Sequence, residues 1–203
     1  MVSKANPKIR CIIFDLAGVV LNDIVDKYYD HLSKELKTER KQIEDFANPR
    51  LAKMELGELK LGIFLRSAAR RFNTTQKSLL WRESVRMWVR PQNDVIRLIK
   101  RLKKRHTIAL LSNIDRSDYF MDLQLIDKNL FDRRFLSFYL HVRKPDKRIY
   151  EIALSKLRLN QSETVFIDDR PKNVEAARQL GMHAIRFTSH QSLLRDLKEL
   201  EIS

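Results

Sequence analysis

The stretch Ile9-Arg10-Cys11-Ile12-Ile13-Phe14-Asp15-Leu16-Ala17-Gly18 decides how the rest of the chain is read. Its apolar run is short, ends abruptly on a carboxylate and meets a glycine three residues later. That is the pattern of a buried strand entering a tight turn. Similar runs recur downstream. Thr107 to Leu111 ends at Ser112-Asn113, and Thr164 to Ile167 ends at Asp168-Asp169. A weaker strand signal near Phe135 to Leu140 is followed by Lys144-Pro145, and His183 to Phe187 forms the last strand.

Helical periodicity fills the intervals. Asp94 to Lys104 carries an apolar face of Val95, Leu98, Ile99 and Leu102, and a second helix fits Asp146 to Leu157. Pro171 opens a third, Gly181 stands where a left-handed cap closes it, and Gln191 to Leu200 is the last. Strand and helix alternating in this way predict an α/β fold, a doubly wound, Rossmann-like parallel sheet covered on both faces. The segment after the first strand is different. Val25, Tyr28, Tyr29, Leu32 and Leu36 recur at helical spacing, and further helices fit Leu61 to Phe72 and Gln76 to Val89, the latter N-capped by Thr75. Pro91 then punctuates the chain. A small all-helical cap over residues 23–90 is therefore expected, inserted into a core made of residues 1–22 and 91–203.

Composition excludes several classes. With 43% hydrophobic and 33% charged residues in 203, the chain can bury a core, and four glycines and five prolines are too few for a linker-rich protein. The single cysteine, Cys11, excludes an intrachain disulfide framework and fits a reducing compartment. The basic start and the apolar stretch Cys11 to Leu21 mimic a signal peptide, but Asp15 interrupts it and no small-residue cleavage site follows. No run approaches the roughly 18 to 20 apolar residues of a membrane span, so a cytoplasmic monomer or homodimer without membrane contact is expected. Forty basic against 26 acidic residues give a net charge of +14. The densest run, Arg97 to Arg105, lies on and just beyond an amphipathic helix, where a solvated face and the helix dipole account for it. A nucleic-acid partner stays the alternative, with no zinc-ligand spacing or RNA-binding signature beside it.

In an open parallel sheet, ligands bind outside the carboxyl ends of the strands. Asp15, Ser112, Lys144 and the pair Asp168-Asp169 fall at such ends, in order. Each alone is ordinary: Asp before Gly makes a turn, and Asp-Asp-Arg-Pro begins a helix. Together they could gather three carboxylates, a hydroxyl and an ammonium at one edge. Clustered carboxylates suit a hard cation such as magnesium. A carboxylate can also attack phosphorus, dividing one hard displacement into two. The transferred group then needs its oxygens stabilised by metal, lysine, hydroxyl and turn amides.

These residues resemble the four motifs of the haloacid-dehalogenase-like superfamily: Ile13 to Val20, Leu111-Ser112-Asn113, Arg143-Lys144-Pro145-Asp146 with Ile149-Tyr150, and Val165 to Asp169. Asn173, Ala176-Ala177, Leu180-Gly181 and the segment Glu55 to Leu59 are similar to the branch holding glucose-1-phosphate phosphatases and the phosphatase domain of soluble epoxide hydrolases. The resemblance implies a magnesium-dependent hydrolase acting on a small phosphorylated substrate. It implies Asp15 as nucleophile and metal ligand, Asp169 as direct ligand, Asp168 as a nearby or water-mediated one, and the Ala17 carbonyl as a further ligand. It also implies that the amides of Leu16, Ala17 and Asn113, the Ser112 hydroxyl and Lys144 hold the phosphoryl group.

One position departs from the pattern. Most phosphatases of the superfamily carry a second, acid/base aspartate two residues after the nucleophile, and this chain has Ala17. Such a group is worth about 10² to 10⁴ in rate. A phosphatase assisted by substrate or water is one reading. A phosphonoacetaldehyde-hydrolase-like enzyme using Lys53 or Lys60 is another, and a phosphate-binding or interaction protein with little turnover is a third. Substrate choice is expected in the cap, among Lys53, Lys60, Arg66 and Trp88.

Overall fold

The computed structural model describes residues 8–74, 88–122 and 124–202. Five strands form one sheet: β1 (Cys11–Phe14), β2 (Thr107–Ser112), β3 (Arg133–Leu136), β4 (Thr164–Asp168) and β5 (His183–Arg186). All pair in parallel, in the order β3-β2-β1-β4-β5. Among the described residues the helices are α1 (Val25–Leu36), α2 (Arg40–Glu55), α3 (Leu61–Arg71), α4 (Asn93–Leu102), α5 (Arg116–Asp122), α6 (Ser137–Leu140), α7 (Lys147–Leu157), α8 (Pro171–Gln179) and α9 (His190–Glu199).

The near-continuous apolar strands are explained by burial on both faces. Ile12, Phe14, Ile108, Leu110, Val165 and Ile167 turn to one side and pack with Val95 and Ile99 of α4 and Leu193 of α9. Cys11, Ile13, Ala109, Leu111 and Phe166 turn to the other, against Tyr150 of α7 and Ala177 of α8. The period-2 alternation thus supplies two separate cores, and the sheet is doubly wound as expected. The basic residues Arg97, Lys100 and Arg101 lie on the exposed side of α4. Pro171 takes the first turn of α8, and Gly181 closes it with φ +84° while the Met182 amide donates to the Ala177 carbonyl.

Helices α1 to α3 enclose an apolar cluster of their own, with Tyr29, Leu32, Ile43, Phe46, Met54 and Phe64 at its centre. The chain leaves and re-enters the sheet domain at one point. The Asn22 side chain donates to the Trp88 carbonyl and accepts from the Arg90 amide, and the Gln92 amide donates to the Val20 carbonyl. Among the described residues no helix is long and apolar enough to cross a membrane.

One expectation changes. The strand near Phe135 to Leu140 stops at Leu136, and Ser137–Leu140 coil into the single turn α6. Buried Ser137 explains the change: its Oγ accepts from the Ile114 amide and donates to the Ile114 carbonyl, supplying partners a longer ladder would have provided. Within the helical segment, the sequence did not delimit α2, which runs through Pro49 and buries Ile43, Phe46, Ala47 and Met54 at helical spacing. The helix expected over Gln76 to Val89 lies mostly outside the described residues.

Candidate active site

Strand order positions the site. The chain steps from β1 outward through β2 to β3, then crosses to β4 on the other side of β1, so the switch point lies where β1 and β4 end. Phe14 pairs in register with Ile167 and with Leu110, which brings the residues that follow each strand to one edge. The Asp15 amide donates to the Ile167 carbonyl at 2.9 Å, fixing the nucleophile candidate at the mouth of β1.

The polar groups there are buried to a degree that demands partners. Asp15 is 6% exposed, Ser112 2%, Lys144 1% and Asp168 0%. Lys144 Nζ lies 2.9 Å from Asp15 Oδ2 and 2.6 Å from Asp168 Oδ2. The Lys144 backbone is held in turn by Asn113, whose side chain accepts from the Lys144 amide at 2.7 Å and donates to its carbonyl at 2.9 Å. Asp168 is fully committed: besides Lys144 it accepts from the Arg170 amide at 2.8 Å and from Asn173 Nδ2 at 3.0 Å on both oxygens. Asp169 is the opposite. Its Oδ1 is buried without a hydrogen-bond partner.

Asp15, Asp168 and Asp169 each bring one carboxylate oxygen to within 4.8 Å of the others. The donors are all hard oxygens, with no thiol or imidazole among them, and one is left unsatisfied. This set fits a hard cation such as magnesium. Gly18 makes room for it. Its φ is +84°, and a Cβ built there would stand 2.5 Å from Asp169 Cγ. Residue 18 therefore has to be glycine for the turn and for the carboxylate beside it.

The electrostatics follow from burial. Burial pushes the Asp15 carboxyl up to about 7, with Lys144 opposing the rise and Asp168 adding to it. Asp168 is held below the ordinary range, because Lys144 and the Arg170 amide outweigh its desolvation. Lys144 loses hydration by burial, yet the two carboxylates hold its proton more firmly than usual. Asp169 is raised by burial and by Asp168. A divalent cation among these groups would reverse the rise at Asp15 and Asp169. The Cys11 thiol, pushed up to about 12 by burial, is no nucleophile.

The Leu16 amide donates to Asp15 Oδ1 at 2.7 Å and so faces the carboxylate. A cavity of 190 Å³ opens over this edge, lined among others by Ala17, Ser112, Asn113, Tyr29, Glu55 and Arg170. Ala17 is exposed to it. The cap residues singled out for substrate choice are not gathered there. Lys53 and Arg66 are exposed, and Lys60 lines a separate groove with Tyr139 and His141. Trp88 stacks edge-on against His31 with ring centroids 5.0 Å apart. Asn173 and Glu55 were quoted only as marks of resemblance, and sequence reasoning gave neither a place: it did not foresee Arg170 and Asn173 on Asp168 or Glu55 on the cavity wall. Asn173 had a signal, being a polar residue on the buried face of α8 beside Val174 and Ala177.

A family model described as haloacid dehalogenase-like hydrolase matches residues 9–181. The sesquiterpene phosphatase astK of Aspergillus oryzae is 30% identical over 114 residues, 55% of this chain and 58% of that protein. The rat (Rattus norvegicus) bifunctional epoxide hydrolase 2 is 29% identical over 103 residues, 48% of this chain and 19% of the relative. The chain thus spans less than two thirds of either curated relative. Among solved structures, a HAD family enzyme from Bacteroides thetaiotaomicron, in complex with magnesium and inorganic phosphate, superposes with a TM-score of 0.78. It is 18% identical and covers 89% of this chain and 94% of its own, which shows a common fold.

Proposed function

This chain belongs to the haloacid dehalogenase-like hydrolase family, and on that premise we propose that it is a magnesium-dependent phosphatase of a small phosphorylated compound, working through an aspartyl-phosphate on Asp15. The observation that carries the reading is the pairing of buried Asp15 with Lys144 at 2.9 Å beside two further carboxylates at the sheet's switch point. A carboxylate so placed can attack phosphorus, and its neighbours can take up the charge that the phosphoryl oxygens bring. In this reading residues 1–22 and 91–203 form the catalytic core and residues 23–90 the cap.

Asp15, the Ala17 carbonyl and Asp169 would hold magnesium directly, and Asp168 would act at one remove. The four contacts that already saturate Asp168 support that division. Bound there, magnesium would neutralise the carboxylates and polarise the phosphoryl oxygens. The chain's own residues do the rest. Lys144 Nζ, the Ser112 hydroxyl and the amides of Leu16, Ala17 and Asn113 hold and orient the transferred group. Asn113 keeps Lys144 in place through its backbone, and Asn173 with the Arg170 amide does so for Asp168. Asp15 Oδ attacks phosphorus, the ester oxygen leaves, and water then releases phosphate from Asp15.

The single buried cysteine supports a reducing setting, and the cytoplasm is the proposed one. The phosphonoacetaldehyde-hydrolase-like alternative finds no support in the positions of Lys53 and Lys60. The test is hydrolysis of p-nitrophenyl phosphate with and without magnesium by wild type and Asp15→Asn. Activity that needs the metal and disappears in Asp15→Asn is expected. A variant as active as wild type would remove the reaction from this site and favour the binding-protein reading.

A further inference from the structure

Ala17 leaves the cavity that it lines beside Leu16 and Ser112 without the carboxyl that would protonate a leaving oxygen and later activate water. A carboxyl reaches the same cavity from elsewhere. Glu55, the last residue of α2, lines it together with Ala17, Ser112 and Arg170. We propose that Glu55 is the general acid and base of the reaction, taking the role that residue 17 leaves open. The proposal rests on the phosphatase reading above.

Glu55 is held in place by a built contact between α2 and the sheet domain. The His141 ring nitrogen Nδ1 lies 2.9 Å from the Leu56 carbonyl. Gly57, at φ +76°, passes so close to the Phe138 carbonyl that a Cβ would stand 2.7 Å from it. Arg143 Nη2, next to Lys144 in the chain, lies 2.7 Å from Glu55 Oε2. Arg143 thus orients the carboxyl through its Oε2. A carboxyl so placed is half-buried, oriented and still able to give or take a proton.

Other acids line the cavity, and their surroundings differ. Asp115 accepts from the amides of Ser117 and Asp118 and is spent on the start of α5. Asp23 accepts from the Val25 amide at the start of α1. Asp122 has Asp115 as its charged neighbour. Asp118 lies near Tyr28 and Asp23 acts on Asp169, whereas Glu55 faces the cations of the site, Arg143, Arg170 and Lys144. Burial raises its carboxyl above the ordinary range against the pull of those three cations, so it keeps its proton to higher pH.

The proton balance closes. As Asp15 Oδ bonds to phosphorus and the ester P–O bond breaks, the leaving oxygen takes the Glu55 proton and departs as an alcohol. The Glu55 carboxylate then takes a proton from water as that oxygen attacks phosphorus. The bond to Asp15 breaks, inorganic phosphate is released and Glu55 is protonated again. The three cations stabilise the carboxylate between the two halves.

The experiment compares two esters with wild type, Glu55→Gln and Asp15→Asn, all with magnesium. p-Nitrophenyl phosphate needs no proton to expel its phenolate, whereas an alkyl monophosphate does. Glu55→Gln should give a burst of nitrophenolate near the wild-type rate followed by slow turnover, because water has lost its base. Its hydrolysis of the alkyl ester should fall by about 10²- to 10⁴-fold. Equal losses in burst and alkyl hydrolysis, or no loss in either, overturn the proposal. Retained binding of inorganic phosphate reports an intact site. Should the variant fail to fold, the wild-type pH profile decides: alkyl hydrolysis should decline at high pH as Glu55 loses its proton, and the nitrophenolate burst should lack that decline. Identical high-pH limbs overturn it. Inactive Asp15→Asn beside an unimpaired Glu55→Gln sinks this inference alone, while a wild type that forms no phosphoenzyme sinks the phosphatase reading with it.

Discussion

Replacing Gly18 with alanine tests the geometry of the carboxylate cluster most directly. The new Cβ would meet Asp169 Cγ at 2.5 Å and its oxygens at 2.6 and 2.8 Å. Ordinary contact between such atoms begins at about 3.5 Å, so the carboxylate must retreat by roughly 1 Å. Metal ligands tolerate only about 0.2 Å. The backbone adds its own cost, because φ +84° burdens any L side chain by about 1 to 2 kcal/mol, and overpacking contributes about 1 to 3 kcal/mol more. Calorimetric titration should show magnesium binding weakened by about 10- to 100-fold. Thermal unfolding should show a stability loss of about 2 to 5 kcal/mol, or roughly 4 to 20 °C for a chain of this size. The decisive comparison is the same substitution in an Asp169→Ala background. With the carboxylate gone, the contact disappears and only the backbone cost of about 1 to 2 kcal/mol should remain. Unchanged magnesium affinity, or an equal stability loss in both backgrounds, would refute the placement of Asp169 against Gly18.

Three further outcomes follow from the same interactions. Ala17→Asp places a carboxyl on the cavity wall and should restore most of the alkyl phosphatase activity lost in Glu55→Gln, measured as steady-state phosphate release. Lys144→Ala leaves Asp15 and Asp168 as buried carboxylates without their cation. Urea denaturation should register about 3 to 5 kcal/mol of destabilisation, partly recovered by magnesium. Asp122 is pushed up to about 7 by burial and by Asp115, so the folded chain holds a proton that the unfolded chain releases from about pH 4 upward. Its contribution to stability is therefore full at low pH and lost as pH rises through 7. Asp122→Asn should raise the melting temperature at pH 8 by an amount equivalent to at most about 4 kcal/mol, with a smaller gain at pH 5.

Much of this molecule can be read without coordinates, because it is encoded locally. An apolar run that ends on a polar residue marks a strand and its mouth, so Asp15, Ser112, Asp168 and Asp169 were legible as a set. The face of α4 and the caps of α8 followed from spacing and from Pro171 and Gly181. Where local cues conflicted, the reading failed: Ser137 ended β3 by supplying side-chain partners for Ile114. Tertiary structure alone decided the rest. It set β4 beside β1, saturated Asp168 through Lys144, Arg170 and Asn173 while leaving Asp169 Oδ1 unpartnered, and brought Glu55 from α2 onto the cavity wall. The reason is physical. Apolar periodicity says which side of an element is buried, but the partner of a buried polar group comes from a distant segment, chosen only when the whole chain packs.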